Sequence, residues 1–122
     1  MAGQIVHTEI PADDTVASRE FWGSLFGWQF QAFPGPSEYH MARIGDQEGV
    51  AITNMEPGKR GMRSYFDVDD INAGVARVKE LGGEASDPTP VPHMGWFATC
   101  ADPHGNEFGL WQTDPSAPAV AQ

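Results

Sequence analysis

Three titratable side chains stand in short, strand-like runs where they could do chemistry: His7 within Ile5 to Ile10, Arg63 within Met62 to Val68, and Glu107 within Asn106 to Gln112. A histidine titrates near neutral pH, so His7 could contact a ligand or serve as a general base; the alternative is a side chain hydrogen-bonded locally. Arg63 offers a planar fork that clamps a carboxylate or oxyanion, or neutralises Glu9, Asp67 or Glu107, and the ion pair is the favoured reading. Glu107 reads in the same two ways, as an acid–base group or as half of that pair. Tyr65, Trp96 and Trp111 could form stacking walls for a flat or cationic ligand, although core packing explains any one of them as well.

Other reactive residues read as structural. His40 and His93 are expected at a rim or surface, and His104 lies in a turn. Cys100, within an apolar run and with no base beside it, is expected in the core, and Met41, Met55 and Met94 as flexible filler. The chain has no nucleophile elbow, no phosphate-cradling glycine loop before a helix and no zinc-protease helix motif.

The elements that must position these residues are written twice. A shift of 56 positions without a gap aligns Asp13 with Asp69, Asp14 with Asp70, Ala17 with Ala73, Leu25 with Leu81 and Gly27 with Gly83. The same shift aligns Pro34 with Pro90, Pro36 with Pro92, Ala42 with Ala98, Asp46 with Asp102 and Gly49 with Gly105. About three identities would be expected by chance over this length, so one supersecondary unit has been used twice. In each copy a first strand (Ile5 to Ile10; Met62 to Val68) is followed by an Asp-Asp pair, whose carboxylates accept from the unpaired amides that open a helix. Val16, Ala17, Phe21, Leu25 and Phe26 give the first helix a broad apolar stripe; Ile71, Val75, Val78 and Leu81 give the second a narrower one. Gly27 and Gly82-Gly83 suit the helix ends.

Three further strands are expected per copy: Trp28 to Phe33, Tyr39 to Ile44 and Val50 to Met55, then Glu84 to Asp87, Gly95 to Ala101 and Asn106 to Gln112. Asp102-Pro103-His104-Gly105 and Asp46-Gln47-Glu48-Gly49 supply turns. The fold class is therefore α+β, two tandem β-α-β-β-β modules whose curved mixed sheets would face one another around a cleft. If His7 and Arg63 face that cleft, period-two alternation adds Ile5, Glu9, Tyr65, Asp67, Ala51, Thr53, Glu107, Gly109 and Trp111. Module one spans residues 4–55, a linker 56–61 and module two 62–112. The domain is expected over 1–115, and the tail, 116–122, is expected to fray.

Composition limits the partners. With 122 residues, 40% hydrophobic and 20% charged, the chain suits one globular domain. Seven basic against seventeen acidic residues give a formal charge of −10, which repels phosphate backbones and anionic lipid. No nucleic acid and no membrane are expected as partners, no export signal opens the sequence, and a cytoplasmic location follows as an expectation.

Over Ile5 to Gln112 the chain resembles the vicinal oxygen chelate superfamily of glyoxalases, bleomycin-resistance proteins, extradiol dioxygenases and fosfomycin-resistance enzymes. The resemblance rests on the duplication and on Phe21-Trp22-Gly23-Ser24-Leu25-Phe26-Gly27-Trp28, Val68-Asp69-Asp70 and Asp102-Pro103-His104-Gly105-Asn106-Glu107-Phe108. It implies a cleft for a small organic molecule and, commonly, a homodimer. Metal-dependent relatives place ligands at positions matching His7, Thr53, Arg63 and Gly109, of which only His7 is a fitting ligand here. The resemblance therefore implies a small-molecule-binding protein without a firmly bound catalytic metal, with His7 and Glu107 as candidate catalytic residues and Thr53, Arg63, Tyr65, Trp96 and Trp111 as candidate ligand contacts. The alternative is a lyase, isomerase or dioxygenase in which His7 and Glu107 do acid–base work, aided by a loosely held divalent ion that His40 could also reach. A third reading is a dimerisation domain with an emptied cleft.

Overall fold

The computed structural model describes residues 2–35, 38–54 and 61–119. The chain divides into two compact units, His7–Arg63 and Met1–Val6 with Ser64–Gln122. In the first, β1 (Ile5–Ala12, from His7 onward) runs parallel to β4 (Gly49–Asn54); β4 is antiparallel to β3 (Tyr39–Arg43), and β3 to β2 (Gln31–Ala32). Parallel neighbours need a crossover, which α1 (Thr15–Phe26) and the β2–β3 hairpin provide. The resulting order is β2-β3-β4-β1.

The second unit repeats that order. There β5 (Arg63–Asp67, from Ser64 onward) is parallel to β9 (Glu107–Thr113), β9 antiparallel to β8 (Gly95–Ala101), and β8 antiparallel to β6 (Glu84–Ala85) and β7 (Thr89–Val91). With α2 (Ile71–Glu80) in the place of α1, the duplication read from identities is also a duplication of topology.

Both helices start where the aspartates predicted. Asp14 accepts from Ala17 N–H at 3.0 Å, and Asp70 accepts from Asn72 and Ala73 N–H at 3.0 and 3.2 Å. Gly27 closes α1 with φ of +74°, a conformation that side chains disfavour. The α2 helix buries Ile71 and Val75 against Ala98, Cys100 and Leu110, with Val78 packed at the edge of that core.

Four expectations change. The strand expected over Trp28 to Phe33 narrows to Gln31–Ala32, because Trp28 instead stacks on Trp22 at 5.7 Å and packs on Phe26 at 5.0 Å. The strand expected over Glu84 to Asp87 ends after Ala85: Thr99 N–H is taken by the Ser86 hydroxyl, and Pro88 removes a donor before β7 resumes. The apolar stripe of α1 faces outward, with Val16, Phe21, Leu25 and Phe26 each more than half exposed. The tail does bury a residue, since Ala117 is 1% exposed and its carbonyl accepts from His93 N–H at 3.0 Å. Met55 and linker residues 56–60 lie outside the described residues.

Candidate functional site

Register on the first unit's sheet decides which side chains share a face. His7 lies opposite Gly49, Glu9 opposite Ala51 and Pro11 opposite Thr53 in the β1–β4 pair; Tyr39 lies opposite Thr53 and Met41 opposite Ala51 in β3–β4. Successive residues point to opposite faces, so His7, Glu9, Tyr39 and Thr53 share one face, while Ile10, Val50 and Ile52 are buried on the other. Ala51, fully buried and small, leaves room for the Tyr39 side chain to reach diagonally across β4.

Its hydroxyl lies between two side chains of β1. Tyr39 Oη is 2.7 Å from His7 Nε2 and donates to Glu9 Oε2 at 2.9 Å. Arg63 Nη1 lies 3.5 Å from Glu9 Oε1, an ion-pair distance, with both side chains largely covered. The tyrosine ring is held by an edge contact with Phe33 at 6.1 Å, and Phe33 N–H donates to the Tyr39 carbonyl. Burial pushes the His7 pKa below its ordinary value, and the nearby Glu9 charge opposes that shift more weakly. The imidazole is therefore neutral at pH 7, within a cluster that also holds an anion and a cation.

The second unit places its expected site residues on two faces. Tyr65 lies opposite Gly109 and Asp67 opposite Trp111, and Phe97 faces Trp111 across the β8–β9 pair. Tyr65 is buried, in edge contact with Phe97 at 6.5 Å, and Trp111 Nε1 donates to Thr113 Oγ1 at 3.1 Å. Trp96 is not beside them. It points with Ala98 and Cys100 to the α2 side, packs on the core there, and donates its indole N–H to Asp114 at 3.0 Å. The expectation that Trp96 joins Tyr65 and Trp111 in one wall fails because Trp96 is one residue out of step with Phe97. Glu107 is exposed at the start of β9, opposite Ala101.

A divalent ion does not fit the donors at the family's ligand positions. His7 Nε2 is engaged by Tyr39, Arg63 brings a cation to Glu9, and Thr53 offers a hydroxyl in place of a carboxylate. Gly109 lacks more than a side chain: a Cβ there would overlap the Tyr65 ring, so the space a carboxylate would need is filled. Among the described residues no cluster of three or more His, Cys, Asp or Glu side chains could hold a metal ion.

A glyoxalase-like domain family matches residues 5–111. The chain belongs to that family. A fungal relative, the glyoxylase-like domain-containing protein of Didymella fabae, is 35% identical over 118 residues, covering 88% of this chain and 92% of that protein. The glyoxylase-named protein CFP32 of Mycobacterium tuberculosis is 33% identical over 115 residues, covering 87% of this chain. The alignment covers only 44% of CFP32, so this chain spans about half its length. Methylmalonyl-CoA epimerase of Streptomyces coelicolor, solved in complex with 2-nitronate-propionyl-CoA, superposes with a TM-score of 0.73 at 17% identity, covering 98% of this chain and 100% of that one. The last comparison shows the fold.

Glu9 and Tyr39 are the residues that sequence reasoning undervalued. Alternation put Glu9 on the right face, but only as a partner for Arg63. Tyr39 stands out in the sequence only as the start of an expected strand, and its place opposite Thr53, the partner of Pro11, brings a long hydroxylated ring within reach of β1.

Proposed function

We propose that this chain is a small-molecule-binding member of the glyoxalase-like family that holds an organic ligand beside His7, Tyr39, Glu9 and Arg63 without a firmly bound divalent ion. The observation carrying this reading is the engagement of His7 Nε2 by Tyr39, which in turn donates to an Arg63-paired Glu9. A histidine so engaged, with an arginine nearby, suits an organic ligand better than a cation. The epimerase, whose structure holds a small organic ester of coenzyme A, supports the ligand class. Thr53, on the same face, and Tyr65 and Trp111 in the second unit remain proposed ligand contacts.

The test is thermal unfolding of the purified chain against a panel of small organic acids, enols and acyl thioesters. A ligand that prefers the native state must raise the melting temperature, by RT ln(1 + [L]/Kd) in free energy. A rise that is lost in His7→Ala and Arg63→Ala supports the reading, and no rise with any compound in the panel contradicts it.

The neutral His7 favours a second reading, a lyase, isomerase or dioxygenase in which His7 and Glu107 do acid–base work. A homodimer and a cytoplasmic location are also part of the proposal. Support for the dimer comes from the outward α1 stripe, where Ala17, Phe21, Ser24 and Leu25 with Glu20 line a shallow surface hollow.

A further inference from the structure

The residues on either side of Tyr39 reach to the opposite face of the first unit's sheet. His40 lies opposite Ile52, on the face where Ile10 and Val50 are buried, so it points away from His7 and cannot join it in holding a divalent ion, as the sequence had allowed. Glu38, just before β3, sends its carboxylate to the same side as His40. There the hydroxyl of Thr15, the first residue of α1 and only 3% exposed, donates to Glu38 Oε1 at 2.8 Å. His40 Nε2 stands 3.6 Å from that oxygen, an ion-pair distance only when the ring is protonated and too long for a hydrogen bond; the atom has no hydrogen-bond partner among the described residues. Thr15 is therefore the donor that holds Glu38, and its buried hydroxyl depends on that acceptor.

We infer that Thr15 and Glu38 are positioning residues for Tyr39: their hydrogen bond pins the start of β3 to the start of α1 and so keeps the Tyr39 hydroxyl on His7 and Glu9, across the sheet. The inference deepens the proposed function and rests on its reading that a ligand is held beside these residues. Tyr39 is the first residue of β3, and strand ends open more readily than strand centres. Its ring is a long lever, so a small rotation of the backbone there displaces the hydroxyl further than the Cα. The Tyr39 carbonyl accepts from Phe33 N–H at 2.8 Å, which fixes this part of β3 within the sheet. The Glu38 carboxylate fixes it in the other direction, to the helix. A tether on the far face supports the site without filling the space where a ligand would lie.

Solution NMR of protein labelled on its histidine and tyrosine rings tests this without any ligand. His7→Gln and Tyr39→Phe identify the two rings among four histidines and two tyrosines. The wild type is expected to show a nuclear Overhauser contact between them, since the rings stack with centroids 6.2 Å apart. Thr15→Val removes the hydroxyl at nearly constant shape, and Glu38→Ala removes its acceptor; each is expected to lose most of that contact in the folded protein. Thr15→Ser, which keeps a hydroxyl, is expected to restore it. The double variant Thr15→Val with Glu38→Ala leaves no buried hydroxyl without an acceptor, so it is expected to fold and to lose no more of the contact than either single change. A tether that served stability alone would lower the denaturant midpoint and leave the His7–Tyr39 contact intact in the folded variants, and that result overturns the inference. So do a wild type without the contact, a Thr15→Ser variant that fails to restore it, and a double variant that does not fold. A chain that behaves as expected here but binds no compound in the panel contradicts the proposed function alone. Any compound that does bind should bind Thr15→Val more weakly than the wild type and Thr15→Ser about equally.

Discussion

At His7 the cost of burying a charge decides how stability follows pH. The unfolded chain takes up a proton near 6.5, whereas the folded pKa is lower because burial disfavours the imidazolium. As pH falls below 6.5 the unfolded state therefore binds more protons than the native state, and stability declines until the native imidazole also titrates. His7→Gln keeps an amide able to donate to Tyr39 but has nothing to titrate. Denaturant midpoints followed from about pH 7.5 to about pH 5.5 should fall more steeply in the wild type than in His7→Gln, and parallel slopes would contradict the buried neutral histidine. Gly109 gives a second residue-scale prediction. Placing a carboxylate at this position with Gly109→Glu should cost about 1–3 kcal/mol through overlap with the Tyr65 ring. In a double-mutant cycle Tyr65→Ala should recover part of that loss, and strict additivity would show that the ring does not occupy the position.

At the scale of elements, local chemistry was legible in the sequence and non-local chemistry was not. Asp14 and Asp70 cap their helices, Gly27 ends α1, and Gly105 closes the turn begun at Asp102, because each depends on neighbours within a few residues. Asp14→Ala and Asp70→Ala should each cost about 0.5–2 kcal/mol in urea denaturation, Asp70→Ala the more because two amides lose their acceptor. Ile52→Ala and Ile71→Ala, at side chains almost wholly buried, should cost about 2–5 kcal/mol each. The directions taken by Trp96 and by the α1 stripe were not legible. Trp96 depends on where β8 enters its pairing with β9, and a slip of one residue exchanges faces. The α1 stripe has the right period for a buried face, yet periodicity does not tell whether the chain's own sheet or another surface covers that face. Of the candidate site, His7, Thr53 and Arg63 followed from the duplicated register, whereas the Tyr39–Glu9 contact needed the β3–β4–β1 arrangement in three dimensions.

For the whole molecule, duplicated topology and a glyoxalase-like match over residues 5–111 account for the architecture, and among the described residues no helix is long and apolar enough to cross a membrane. With Phe21 and Leu25 so exposed, sedimentation of the wild type should show a concentration-dependent dimer. Phe21→Glu with Leu25→Glu should leave a folded monomer; a dimer that persists in this variant would remove α1 from the interface. The account depends most on an organic ligand, in place of a divalent cation, being what His7 meets. Elemental analysis of the purified chain, without added chelator, measures this most directly. It should find divalent metal far below one equivalent per chain and no difference between wild type and His7→Ala; one tightly held equivalent that disappears in His7→Ala would contradict the account.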